Sequence, residues 1–458
     1  MSGPLRVTWT QPEDLIGHEL RQCDEEGRDT TEARARWVAA GGPEVPERGG
    51  ASPVPASPRL RALALELLDQ LDALPRSTEL REPTAFPAIR AACPLWPGAW
   101  GPERVAPGLG DRLHAAWLGR AAGCLLGKPV EKLELSAIRE LARATGNWPL
   151  TGYFTARGLP PGLARAHPWN RRSAATSLAE NIDGMPPDDD LDHALLALVL
   201  IRRHGREFTT GDLARLWLDE LPAGRTFTAE RAAYRNLLSG VEPPDTARRR
   251  NPFREWIGAQ IRADVHGWTR PGDPAGAAEQ AHRDAVLTHT GNGVYGAMFA
   301  AAVIAEAAGG RSDVHGCLDA GLGVVPPDAR LARAVRRGRE LASVERDFEA
   351  VVDRLHEEYG AYHWVHVVPN AALVAAALTH SGGAFAGAVT RAVSGGWDTD
   401  SNGATAGSVA GLLAGHPDAL GERWTTPLKN RLSTAVAGFD GVGFDTLAAL
   451  TLQEARTV

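Results

Sequence analysis

The chain has 458 residues, 43% of them hydrophobic and 23% charged, with a formal net charge of -7. That is length for two or three average domains, or for one large domain with an extension. The acidic balance, with no basic run, gives no electrostatic reason to expect nucleic acid. Uncharged stretches such as residues 401–415 fall short of the roughly 18–20 apolar residues a membrane span needs. Cys23, Cys93, Cys124 and Cys317 stand apart without a CxxC pair. That suits a reducing compartment and argues against a disulfide framework or a zinc ribbon. The first residues lack the basic start and apolar run of a signal peptide, so the expected location is cytoplasmic.

In chain order, residues 1–106 read as an N-terminal extension of loops and a few helices. Pro and Gly concentrate in 41–58 and again in 83–107, while 60–74 repeats apolar residues at helical spacing (Leu60, Ala62, Leu63, Leu67, Leu71). That stripe needs a partner, so the extension is expected to dock on the helical remainder of the chain. From residue 107 onward the texture is that of Ala- and Leu-rich helices punctuated by Gly, Pro and Asp. The spacing predicts helices over 111–127, 189–203, 210–219, 228–238, 254–263, 275–287, 292–307, 329–340, 345–357, 370–379, 384–393 and 402–414. Alternating β-branched runs are almost absent and no fixed repeat is found. The expected fold is therefore all-α, a compact bundle rather than a solenoid.

Two of these helices carry glycine every fourth residue: Gly119, Gly123 and Gly127 in one, Gly403, Gly407, Gly411 and Gly415 in the other. Glycine costs about 1 kcal/mol against alanine inside a helix. Its repetition on one face points to close backbone-to-backbone packing and to a central, buried position for both helices.

Each striped helix adjoins a candidate site motif, and acids gather in two places. Asp188, Asp189 and Asp190 open the helix at 189; acids in its first turn and Arg202, Arg203, His204 and Gly205 at its end also fit an ordinary capped helix. Three consecutive carboxylates exceed what capping requires, and a divalent cation would answer their repulsion. Asp398, Thr399, Asp400 and Ser401 follow the turn of Gly395 and Gly396, offering oxygen ligands at alternate positions as hard cations need. The same stretch matches the first half of an EF-hand loop, but Val409 stands where the closing Glu belongs, so a calcium sensor is excluded. Residues 291–296 satisfy GxGxxG without a preceding strand, so a dinucleotide site is rejected. That loop, with His289 and Asn292, and the cluster His363, His366 and Asn370 are read instead as pocket material. No GxSxG nucleophile motif appears.

The segments 119–131 (GRAAGCLLGKPVE), 188–198 (DDDLDHALLAL), 287–305 and 395–415 (GGWDTDSNGATAGSVAGLLAG) occur in the order expected of the ADP-ribosylglycohydrolase family, which this chain resembles over about residues 108–450. The resemblance implies an orthogonal helical bundle with a catalytic domain over 107–458. It also implies a site for two Mg²⁺, with Mn²⁺ possible, that cleaves the glycosidic bond at the anomeric carbon of ADP-ribose. Carried over by position, Asp189 and Asp190 fall on the family's paired aspartates, Asp188 on the threonine before them, and Asp398, Asp400 and Ser401 on its Asp-x-Asp-Thr/Ser motif. The implied metal shell is Asp188, Asp189, Asp190, Asp398, Asp400 and Ser401. Glu131, Asp189, Asp190 and Asp398 carry the catalysis, with Glu131 positioning the ribose diol or acting as acid/base. Asn292, His366, Asn370, Gly395 and Gly396 line the ribose-diphosphate pocket. Two positions depart from the pattern: Cys124 stands where relatives usually have Asp, and Asp188 replaces a neutral hydroxyl. The implied partner is an ADP-ribosylated protein or a small ribosyl conjugate. The rivals are a glycohydrolase of a small N-ribosyl compound or nucleoside, and a non-catalytic member that binds ADP-ribose or a partner protein.

Overall fold

Two glycine-striped helices, Leu109–Gly127 and Thr399–Ala414, cross with backbone against backbone. A Cβ on Gly119 would lie 2.3 Å from the Gly407 carbonyl oxygen, and one on Gly123 only 1.9 Å from that of Gly403. The pairing runs antiparallel, 119 with 407 and 123 with 403, so the end of the first helix meets the start of the second. There the Thr399 hydroxyl donates to the Gly127 carbonyl at 2.9 Å. Glycine is demanded here by space. The propensity cost is offset by dispersion contacts between two backbones that no side chain holds apart.

The computed structural model describes residues 5–45, 50–78, 81–98 and 105–457. Residues 1–4, at the N-terminus without signal-peptide character, and parts of both Pro/Gly-rich stretches lie outside the described residues. Among the described residues there are isolated β-bridges but no strand, so the fold is all-α as expected. Among the described residues no helix is long and apolar enough to cross a membrane. The four cysteines are buried and unpaired.

Around the glycine pair, helix Gly291–Gly309 is buried at every residue and Val367–His380 along nearly its whole length. Asp189–His204 starts at an Asp188 cap and stops at Gly205, whose φ of 73° an L side chain rarely adopts. The other anticipated helices appear within a few residues of their expected ends, as in Thr210–Glu220, Thr228–Leu238, Arg330–Val344 and Phe385–Ser394. The exception is 254–263, which is a short 3₁₀ turn, Ile257–Arg262. Before it, 254 and 255 lie in a turn and Trp256 is extended: Arg254 and Glu255 serve buried ion pairs, and Trp256 bridges to His366.

The 60–74 stripe forms helix Pro58–Asp72, capped by Ser57, and buries Leu67, Leu68 and Leu71. With Pro12–Glu25 and Thr31–Ala39 it builds a second apolar cluster that includes Phe253, Trp256, Ile257 and Val365 from beyond residue 106. Beneath that cluster the buried Arg254 guanidinium spans Glu19 at 2.9 Å and Glu26 at 2.8 Å. Arg330 reaches Glu82 and Glu255, each at 2.7 Å. The extension therefore meets the rest of the chain through shared core and buried charge, a much closer union than one apolar stripe would give.

Candidate active site

The antiparallel glycine register delivers both motifs to one place. Leu109–Gly127 runs out into Lys128 and Glu131, Thr399–Ala414 begins beside Asp398, and the Asp189–His204 helix points its N-terminus at the same spot. Asp398 is presented by a turn in which Gly396 and Trp397 are both left-handed, at φ 76° and 55°. Trp397 stacks on His356 with ring centroids 4.0 Å apart, and His356 Nε2 donates to the Gly395 carbonyl at 2.8 Å. Non-glycine residues held at positive φ are costly, and such positions gather at working sites.

Asp188 spends both carboxylate oxygens locally. Oδ1 accepts the Asp190 N–H at 2.9 Å, and Oδ2 pairs with the buried Lys128 ammonium. Asp190 lies between the two clusters: the Ser401 hydroxyl donates to its Oδ2 at 3.5 Å, and the Cys124 thiol faces the same oxygen at 3.8 Å. Arg120, fully buried, holds the Asp190 carbonyl at 2.7 Å and the Asp264 carboxylate at 2.8 Å. Glu131 accepts from Asn170 at 2.7 Å and pairs with Lys132 at 2.8 Å. Cys124, Asp188 and Asp190 together could hold a metal ion, since their ligand atoms lie within 4.8 Å of one another.

Electrostatically the cluster is under-compensated. Burial first, then the neighbouring Asp188 charge, raises Asp189 and Asp190 well above the usual carboxylate range. Burial and Asp400 do the same to Asp398, while burial, Glu131 and Asp188 push Asp400 up to about 7. Asp188 goes the other way: burial opposes ionisation, but the Lys128 ammonium wins and holds its carboxyl low. Burial and the adjacent aspartates raise the Cys124 thiol well above its ordinary value.

These groups floor one side of a cavity of about 570 Å³, the size of a small-molecule site. Glu131, Asp188, Asp189, Asp190, Asp398, Asp400 and Ser401 all line it. Asn292, His366, Asn370, Gly395 and Gly396 are not among its lining residues. Asn292 instead donates to Glu255 and accepts the Leu331 N–H at 3.0 Å. His366 caps helix Val367–His380 and lies 3.2 Å from Glu25. Asn370 accepts the Asp398 N–H at 3.1 Å and the Asn402 amide at 2.6 Å, so it positions the second cluster from behind. His289 is buried against Thr288. Sequence reasoning missed Lys128, Trp9, Arg172, Arg225, Phe227 and Trp364, all of which line the cavity. The one available signal was a lysine between Gly127 and Pro129, where its neighbours were already destined for the interior.

The described elements are helical, and the cavity they form is lined by carboxylates from both acidic clusters. The ADP-ribosylglycohydrolase family model matches residues 106–455, well over half of the sequence, and contains all four motif segments. The chain belongs to the ADP-ribosylglycohydrolase family, a family of glycohydrolases. It is similar in fold to a solved structure described as an ADP-ribosylglycohydrolase-related protein complex, with 21% identity and a TM-score of 0.47. That match covers 77% of this chain and 99% of the other. No match to a curated relative was found.

Proposed function

We propose that the protein hydrolyses the N- or O-glycosidic bond at the anomeric carbon of ADP-ribose, releasing ADP-ribose from a modified protein or small conjugate, with two Mg²⁺ as cofactors. The observation that carries this reading is a surplus of negative charge. Lys128 answers Asp188, Lys132 answers Glu131 and Arg120 touches Asp190, while Asp189, Asp398 and Asp400 have no ion-pair partner among the described residues. Buried carboxylates without a counter-charge are costly, and the oxygen donors of Asp189, Asp190, Asp398, Asp400 and Ser401, with one thiol (Cys124) beside Asp190, suit a hard cation such as Mg²⁺, with Mn²⁺ as a substitute.

On this reading Asp189, Asp190, Asp398, Asp400 and Ser401 hold the ions. Asp188, with both oxygens engaged, joins them only as Lys128 yields. When bound, such ions supply Lewis acidity toward the ribose diol and toward a water. Glu131, steadied by Asn170 and Lys132, orients the diol and serves as acid or base. The buried carboxylates stabilise positive charge developing at the anomeric carbon. Free, buried thiols fit a reducing compartment, consistent with a cytoplasmic enzyme.

Metal linkage tests this reading. Mg²⁺ at a hundredfold excess over its Kd should stabilise the fold by about 2.7 kcal/mol and raise Tm accordingly. The pH dependence has a definite sign. Asp400 goes from an ordinary 3.8 to about 7 in the fold, so its contribution is full below 3.8 and is lost as pH climbs through 7. In chelator, Tm should fall between about pH 5 and pH 8, and Mg²⁺ should flatten that decline. A Tm indifferent to both chelator and millimolar Mg²⁺ would contradict the metal site.

A further inference from the structure

Besides the carboxylates, the cavity is lined by aromatic and cationic side chains: Trp9, Phe227 and Trp364 with Arg172 and Arg225. Trp9 lies outside the span matched by the family model, residues 106–455. Its backbone is left-handed at φ 65°, as are those of two other lining residues, Lys132 at 74° and Thr228 at 34°. Bulky and β-branched side chains seldom occupy that region, so three different segments are each held against local preference around one cavity.

Trp9 is also firmly placed. Its ring packs edge-on against Phe253 at 5.5 Å and Trp256 at 6.3 Å. The preceding Thr8 hydroxyl accepts from Arg231. Arg231 lies over the Phe227 ring at 5.7 Å, and Arg172 over the same ring at 6.0 Å. Trp9 and Phe227 are thus tied by one guanidinium, and the half-buried Trp9 face remains at the cavity.

Resting on the hydrolase reading proposed for this site, we infer that Trp9 makes the N-terminal extension part of the active site and is a specificity-determining residue. It takes the planar base of the substrate while Arg172 and Arg225 meet its phosphates. The carboxylates of the cavity see only the ribose, so discrimination between an ADP-ribosyl group and a bare ribosyl group falls to these aromatic and cationic side chains. Stacking a base on an aromatic side chain is sequence-tolerant and strong enough to change affinity by an order of magnitude or more.

The test is calorimetric binding of ADP-ribose and of ribose 5-phosphate, which lacks the base, to the full-length protein in Mg²⁺. Trp9→Ala should weaken ADP-ribose binding at least about 10-fold and leave ribose 5-phosphate within about 2-fold, while Trp9→Phe should recover most of the loss. On a cleavable conjugate, Trp9→Ala should raise KM and spare kcat. Unchanged ADP-ribose binding by Trp9→Ala, or equal loss for both ligands, would overturn the inference while leaving the hydrolase reading intact. Wild-type protein that binds neither ligand would overturn the reading on which the inference stands, and the inference with it.

Discussion

Asp400→Asn is expected to keep the fold and lower turnover at least about 100-fold, a barrier increase of roughly 2.7 kcal/mol. The amide is nearly isosteric, and its oxygen can still accept the Ser401 N–H that Asp400 accepts at 3.1 Å. What disappears is one negative charge at the proposed cation site. The variant carries a second signature. Asp400 is buried among Glu131 and Asp188, which make its ionised form costly. Removing that charge should make the chelated protein at least as stable as wild type at pH 8, while Mg²⁺ stabilises it less. Steady-state kinetics and Tm with and without chelator measure both effects. Near-normal turnover would remove the second cluster from the mechanism.

Gly123→Ala is expected to destabilise the protein by about 3 kcal/mol and to abolish activity in what remains folded. The added Cβ would sit 1.9 Å from the Gly403 carbonyl oxygen and 3.2 Å from the Ala404 nitrogen, and backbone cannot swing aside as a side chain can. The crossing helices would have to separate. Because one ends near Glu131 and the other begins at Thr399, between Asp398 and Asp400, separation also pulls the site apart. Gly162→Ala is the control: a Cβ there meets nothing within 4 Å, and the substitution should stay within about 0.5 kcal/mol. Chemical denaturation of the two variants reads the difference. A Gly123→Ala protein as stable as wild type would mean that the glycine stripe does not hold the helices together.

That stripe was legible in the sequence because its cause is geometric: repeated glycine on one helix face has few explanations other than close approach. The acid clusters were legible because unanswered carboxylates beside apolar helices demand a counter-charge. Helix Pro12–Glu25 was not legible, since its buried face includes Glu13, Asp14, His18, Glu19 and Gln22, so no apolar period announces it. Two of them are satisfied by partners far along the chain, Glu19 by Arg254 and Gln22 by Glu255, while Glu13 and Asp14 both pair with Arg6. Long-range pairing of this kind leaves no local pattern. The same reason explains Asn370 and His366. Polar residues beside a motif read as pocket lining, yet here they scaffold the backbone behind it. Lys128 is the converse case. A lysine reads as solvent-facing, and only its pairing with Asp188 in the folded chain shows it to be a cation built into the acidic floor.

Cleavage of a glycosidic bond to ADP-ribose by the two acidic clusters, acting together as proposed, can be followed as product release. The most direct measurement incubates the purified full-length protein with ADP-ribosyl-arginine and ADP-ribosyl-serine conjugates, in Mg²⁺ and in chelator, and follows free ADP-ribose by mass. The expected result is ADP-ribose released from at least one conjugate in Mg²⁺, with release abolished by chelator and restored when Mg²⁺ is returned. Release of ribose from simple nucleosides alone, or tight binding of ADP-ribose with no conjugate cleaved, would contradict it.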